Sequence, residues 1–157
     1  MLIAQERDGA RIIAAMEAAG LRAADRPGAA TLASGCWLVA WVGDSAAGVA
    51  GFETIVDAAA LHALAVAQPM RRHGIGAMLL AAARKAAFTR GARRLYAALP
   101  EGADFLRRFG FEDMAARRML DDMAGASLIS ELAMRLDTAS ERTVLMVDIS
   151  RDGVIER

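Results

Sequence analysis

The apolar residues of this chain change period several times, and each change marks an element. Met1 to Gln5 is a short apolar run that predicts a strand. Ile12, Ile13 and Met16 then recur at helical spacing, with Asp8 placed to cap and Gly20 placed to stop, so a helix is expected over Gly9 to Ala19. From Arg22 to Gly35 the chain turns to Pro, Gly, Ala and Ser without a clear period, which predicts a loop or a frayed second helix. In a cofactor enzyme such a segment often borders the substrate. Cys36 to Val42 is rich in β-formers, Gly43 and Asp44 make a turn, and Gly48 to Ile55 returns as the second strand of a hairpin. Trp37, Val39 and Trp41 share one face of the first of these strands, as core or interface residues rather than a stacking ladder for a ligand.

The next strand, Ala58 to Ala67, carries its heaviest apolar residues at Leu61, Leu64 and Val66. The two-residue alternation slips by one between 61 and 64, and a β-bulge explains the slip. A bulge splays the strand from its neighbour and leaves backbone N–H groups for a ligand. A helix follows from near Gly74 through Ala77 to Arg90, then a strand from Arg94 to Leu99. Ala103 to Phe109 is a short helix ended by Gly110, and Phe111 begins another extended segment. Ser127 is placed to cap a helix with Leu128, Ile129, Leu132 and Leu136 on one side, and Thr143 to Ile149 is a final strand. Strands alternating with helices in this way predict a mixed α/β sheet, and no internal repeat is present.

Length and charge narrow the classes. At 157 residues the chain is read as one domain spanning 1–157, large enough to bury a core. Nineteen Lys plus Arg balance nineteen Asp plus Glu, so net charge gives no reason to expect a nucleic acid or an anionic membrane as partner. Any anion recognition must be local. The hydrophobic share is 55%, yet no apolar run approaches the roughly 20 residues of a spanning helix. Charge arrives at Glu6 and Arg7 before a signal-peptide core could form, so a cytoplasmic protein is expected. Cys36 is the sole cysteine, which rules out an intrachain disulfide, and its apolar surroundings make it a small buried strand residue rather than a nucleophile.

The chemistry concentrates in Leu61 to Gly76, LHALAVAQPMRRHGIG, a strand running into a glycine-punctuated loop at a helix start. Gly74 and Gly76 lack a Cβ and let the backbone approach a phosphate closely. The unpaired N–H groups and positive dipole end of the helix, with Arg71 and Arg72 beside them, suit a diphosphate without any metal. Glycines and arginines meet in loops constantly, so Arg71, Gly74 and Gly76 alone are a weak signal.

Their context is stronger. Leu61, Leu64 and Val66 precede the loop, an alanine-rich helix without a side-chain cap follows it, and FLRRFGF at 105 to 111 closes the set. Over Cys36 to Phe111 the sequence resembles the GCN5-related N-acetyltransferase family. The resemblance implies a splayed mixed sheet flanked by helices, with acetyl-CoA as cosubstrate wedged at the bulge. It places the thioester and pantetheine on the backbone of Leu64, Ala65 and Val66. The diphosphate falls on Arg71, Arg72, His73, Gly74, Ile75, Gly76 and Ala77.

Acyl transfer to an amine needs a neutral amine, a polarised carbonyl and a proton for the leaving thiolate. A free N–H near Leu64 suits the carbonyl. His62 is the leading candidate base, because it sits on the bulged strand and imidazole titrates near neutrality. LHALAV also looks like the corresponding strand of arylalkylamine acetyltransferases, where a histidine here helps remove the amine's proton through water. The companion histidine of that group is Ala60 here. Glu53 on the neighbouring strand is the second candidate base. Many family members carry a tyrosine after the first phenylalanine of the FLRRFGF segment, where this chain has Leu106, so the acid role falls to water or to Tyr96, itself read as a core residue.

A looser resemblance links ADFLRRFGFE and the helical insert after it to acetyltransferases associated with arsenic resistance and, more distantly, to the acetylglutamate synthase acetyl domain. Met119, Met123 and Met134 in that insert suit core or dimer packing, or an adaptable apolar pocket. The whole predicts an acetyl-CoA-dependent N-acetyltransferase acting on a primary amine of a small molecule by direct transfer, with a homodimer suggested by the apolar C-terminal helix. The alternative is a catalytically silent acyl-CoA-binding module, and protein acetylation is a third possibility.

Overall fold

A computed structural model of the chain describes residues 1–21, 26–97, 102–126 and 143–152. The elements run β1 (Leu2–Glu6), α1 (Gly9–Ala18), α2 (Ala29–Ser34), β2 (Cys36–Val42), β3 (Ser45–Ile55), β4 (Ala58–Val66), α3 (Ile75–Thr89) and β5 (Arg94–Ala97). They continue with α4 (Ala103–Arg107), β6 (Glu112–Ala115), α5 (Ala116–Asp122) and β7 (Thr143–Asp148). The helix expected from Ser127, and Met134 within it, lie outside the described residues. The unclear stretch before β2 resolves in part into α2, whose Gly28 cap position carries no side-chain cap bond.

The seven described strands form one mixed sheet in the order β1-β2-β3-β4-β5-β7-β6. Among the described strands only β4 and β5 run parallel, because α3 carries the chain back over the sheet between them. Alternate residues of each strand face opposite layers. Leu38, Ala50, Phe52, Leu61 and Leu95 pack with Leu79, Leu80 and Ala83 of α3. On the other face Trp37, Val39, Val49 and Ala63 pack with Ile12, Ala15 and Met16 of α1, while Ala58, Ala60 and Tyr96 pack with Met119 and Met123. Trp41 joins the α1 layer with Trp37 and Val39, as the shared-face reading expects. Met119 and Met123 are fully buried, so both serve as core. Cys36 is likewise buried, and that burial pushes its thiol pKa upward.

Local sequence accounts for the ends. Asp8 Oδ1 accepts from Ala10 N at 3.0 Å and caps α1, and Gly20 takes φ +84° just past its end. β3 begins at Ser45, earlier than the hairpin pattern suggests, because the β2–β3 register shifts between Ala40 and Trp41 and accommodates Ala47 as an extra residue. No helix among the described residues is long and apolar enough to cross a membrane.

Candidate functional site

The site is built on an interruption of the sheet. Phe52 pairs with Leu61 and the adjacent Gly51 pairs with Ala63, so His62 is the inserted residue of a β-bulge. The slip in apolar alternation between 61 and 64 points to this bulge. On the other edge, β4 pairs with β5 from Ala58↔Arg94 to Leu61↔Ala97. β4 itself continues to Val66, still held by β3 through Gly48↔Val66. Beyond Leu61, no described strand pairs with its β5 side.

After β4 the chain makes a single 3₁₀ turn, Gln68–Met70, and enters the loop before α3. Arg72 and Gly74 both take left-handed conformations, φ +68° and +77°. Glycine adopts this at little cost, whereas an arginine held there is sterically strained. Such left-handed positions turn successive main-chain N–H groups into an anion-binding concavity. Gly74 occupies the N-cap position of α3 with no side-chain cap bond, and the first intrahelical bond is Met78 N to Gly74 O at 3.1 Å. The N–H groups of Ile75, Gly76 and Ala77 therefore point out of a 15-residue helix at its positive end.

The end of β4 and the loop border one groove of about 850 Å³. Leu64, Ala65, Val66, Arg71, Arg72, Gly74, Ile75, Gly76 and Ala77 all line it. His73 does not. It lies between the two left-handed residues and is exposed. The guanidinium of Arg71 is anchored by an Nε–H bond to Val66 O at 3.1 Å, which ties the loop to the end of β4. The opposite wall comes from segments that the sequence did not assign to the site: Ala19, Gly20 and Leu21 at the end of α1, with Met70, Gly102, Phe105, Leu106 and Arg108. Phe105 and Leu106 belong to the FLRRFGF segment, but nothing local in the sequence marks the end of α1 as a groove wall. A β-carbon at Gly74 would meet no atom within 4 Å, and one at Gly76 would stand 3.4 Å from Phe105 Cζ. This uncrowded, N–H-lined cradle fits a diphosphate and the pantetheine arm leading from it.

His62 lies on the other face of the sheet, with both ring nitrogens buried. Its ring stacks on Trp37, centroids 5.3 Å apart. Glu53, 6% exposed, pairs with Ala60 on β4 and shares the α1 and α5 face with Trp37. The two candidate bases thus occupy one face beside the bulge. Tyr96 is fully buried and its hydroxyl donates to Asp122 Oδ2. Arg94 Nε donates to the same oxygen at 3.1 Å. Burial, then the bond to Asp122, pushes the phenol pKa up, while the Tyr96 bond is the first cause holding the Asp122 carboxyl below its usual value. Tyr96 is a core residue committed to a carboxylate, as its sequence context suggests. Leu106 is also buried, inside the α3 layer, and offers no proton.

No curated protein sequence matches the chain. Among solved structures it is similar to a Mycobacterium tuberculosis protein crystallised with CoA, at 15% identity and TM-score 0.68, over 94% of this chain and 99% of that one. It is similar to the N-acetylglutamate synthase of Neisseria gonorrhoeae complexed with coenzyme A and N-acetyl-glutamate, at 15% identity and TM-score 0.64, over 95% of this chain but 35% of the synthase. A family acetyltransferase of Elizabethkingia anophelis with acetyl-CoA bound shares the fold at 13% identity and TM-score 0.54, over 75% of this chain and 78% of that one. Likeness at these identities speaks for the fold. The family model for the acetyltransferase (GNAT) family matches residues 9–111, a span that holds the bulge, the loop and the groove, so the chain belongs to the GNAT family of acetyl-CoA-dependent acyltransferases.

Proposed function

We propose that this acetyltransferase moves the acetyl group of acetyl-CoA directly to a primary amine of a small molecule, both substrates being bound together. The observation that carries the reading is a bulge at His62 on a strand that lines the groove: among the described residues β4 pairs with β5 as far as Leu61 and reaches Val66 along the groove. In this reading acetyl-CoA supplies an activated thioester. Main-chain groups of Leu64, Ala65 and Val66 hold its pantetheine arm, and a free N–H beside Leu64 polarises the carbonyl. The N–H groups of Gly74 to Ala77, with Arg71 and Arg72, hold the diphosphate. His73, between Arg72 and Gly74 in the same loop, is part of this proposed diphosphate set.

His62 accepts the amine's proton through water, since its ring nitrogens are buried beside Gly35 rather than open to the groove. Glu53, on the same face, is the second candidate base. Leu106 leaves the departing thiolate to be protonated by water, which a thiolate tolerates near neutral pH. The same reading takes residues 1–157 as a single domain, supported by one sheet that contains both β1 and β7.

Release of free CoA across a panel of small primary amines tests the activity, and isothermal calorimetry with acetyl-CoA tests binding separately. The expected result is turnover with at least one amine and loss of most turnover in His62→Ala with acetyl-CoA affinity retained. Full activity in His62→Ala removes His62 as base. Tight acetyl-CoA binding with no thiol release across the panel indicates a binding module instead.

A further inference from the structure

We infer that Trp37 is a positioning residue that holds the ring of His62 in its working orientation, an inference that rests on His62 being the base. His62 is the inserted residue of a bulge, so no residue of β3 opposes it and the ladder does not fix its direction. Its ring instead lies against the indole of Trp37, with centroids 5.3 Å apart and planes inclined by 26°.

The indole is itself locked from three directions. Nε1–H donates to Leu32 O at 3.0 Å, which fastens the ring to α2. Gly51, the cross-strand partner of Trp37, leaves a space that the ring fills: a β-carbon there would stand 2.3 Å from Cζ3 and 2.4 Å from Cε3. Gly35 touches both rings, since a β-carbon on it would stand 3.0 Å from Nε1 of Trp37 and 3.0 Å from Nε2 of His62. Two glycines and one carbonyl therefore define a slot for the indole, and the indole defines one wall for the imidazole.

The described elements around that wall contribute the following groups. On the same face, β3 contributes Glu53 and β5 contributes Tyr96, whose hydroxyl is engaged by Asp122. The residues that α1 buries against the sheet, Ile12, Ala15 and Met16, are apolar, and α2 carries no titratable side chain. Among the described residues, Trp37 is the one whose ring is stacked on the imidazole. Misplacement of a catalytic group by about 1 Å costs roughly 100-fold in rate. Trp37 thus acts on the reaction through His62.

The test combines kinetics with a direct reading of the ring contact. Trp37→Leu retains apolar bulk and removes the face; it should lower kcat by roughly 10- to 100-fold while acetyl-CoA affinity stays within about twofold. In a His62→Ala background the same substitution should cause no further loss, because the group it orients is gone. Trp37→Phe keeps a stacking ring and should recover most of the lost rate. On the unmodified protein, the His62 ring proton signals, separated from those of His73 with His73→Gln, should be displaced by the indole ring current and move in Trp37→Leu.

Each alternative result is decisive. Wild-type kcat in Trp37→Leu, losses that add to those of His62→Ala, or a phenylalanine variant as impaired as the leucine one overturns the positioning role while leaving the base reading intact. An undisplaced His62 signal in the unmodified protein does the same, and it requires no variant at position 37 to fold. Full activity in His62→Ala overturns the base reading and this inference with it.

Discussion

Gly48 lies directly beneath Leu79, so that a β-carbon on the glycine would stand 2.8 Å from Cδ1 of the leucine and 2.9 Å from Ala65 O. Leu79 is fully buried in α3, and Ala65 lies on the edge strand of the groove. Gly48 therefore sets how closely α3 approaches the sheet, and so where the N-terminus of that helix stands relative to β4. Gly48→Ala should destabilise the fold by about 1–3 kcal/mol through overpacking, because the clashing carbonyl belongs to the paired main chain and cannot swing aside. Urea denaturation followed by circular dichroism measures it; an unchanged midpoint would show that α3 is free to shift.

Tyr96 and Asp122 make a pH-dependent clamp between β5 and α5. The Asp122 pKa is lowered from 3.8, so its contribution is present above that value and lost as pH falls through its folded pKa. The Tyr96 pKa is raised from 10.0, so its contribution is present below that value and lost as pH rises through its folded pKa. Tyr96→Phe should cost about 1–2 kcal/mol, the range of a hydrogen bond to a partly exposed charged group. The gap from wild type should stay flat between about pH 5 and pH 9 and narrow towards both extremes. Thermal melts across that range test this, and a gap that varies between pH 5 and 9 would point to another titrating group.

Much of this architecture is legible along the chain because its signals are local. The slip between Leu61 and Leu64 locates the bulge at His62, since only an inserted residue lets flanking apolar side chains share a face at odd spacing. Asp8 marks a helix start through its side-chain oxygen, and Gly20 and Gly74 mark helix ends through their own backbone preferences. Contacts between distant segments leave no such trace. Nothing near Ala19, Gly20 and Leu21 shows that they face Leu64 across a groove, because that adjacency depends on how α1 lies over the sheet. The pairing of Trp37 with His62 is hidden for the same reason: it needs the β2–β3–β4 register, the bulge and two glycines together.

Arg72 adopts a left-handed conformation that arginine rarely takes, in the wall of the groove. If it stands there to meet phosphate, its removal should weaken ligands that carry phosphate and spare those that do not. Arg72→Ala should weaken CoA roughly 10- to 100-fold, the worth of a charge-assisted hydrogen bond, and leave pantetheine affinity unchanged. Calorimetry with both ligands separates the cases. Equal weakening of the two would mean that the substitution disturbs the loop rather than a phosphate contact.

Gly74 and Gly76 are expected to fail for different reasons when substituted. A β-carbon at Gly74 meets open space, so Gly74→Ala suffers only from its φ of +77°, a strain of about 1 kcal/mol that the loop can relieve by leaving the left-handed region. Relief of that kind turns the N–H groups out of the cradle, and acetyl-CoA affinity should fall with little change in global stability. At Gly76 the backbone is helical and alanine fits, its β-carbon 3.4 Å from Phe105 Cζ and 3.6 Å from Val66 Cγ2. Gly76→Ala should therefore stay folded and bind acetyl-CoA moderately, whereas Gly76→Leu has to place its extra atoms in the groove and should abolish binding. Calorimetric titration of the three variants, each checked by thermal melting, reads these outcomes. Retained affinity in Gly76→Leu would take the diphosphate away from this helix end.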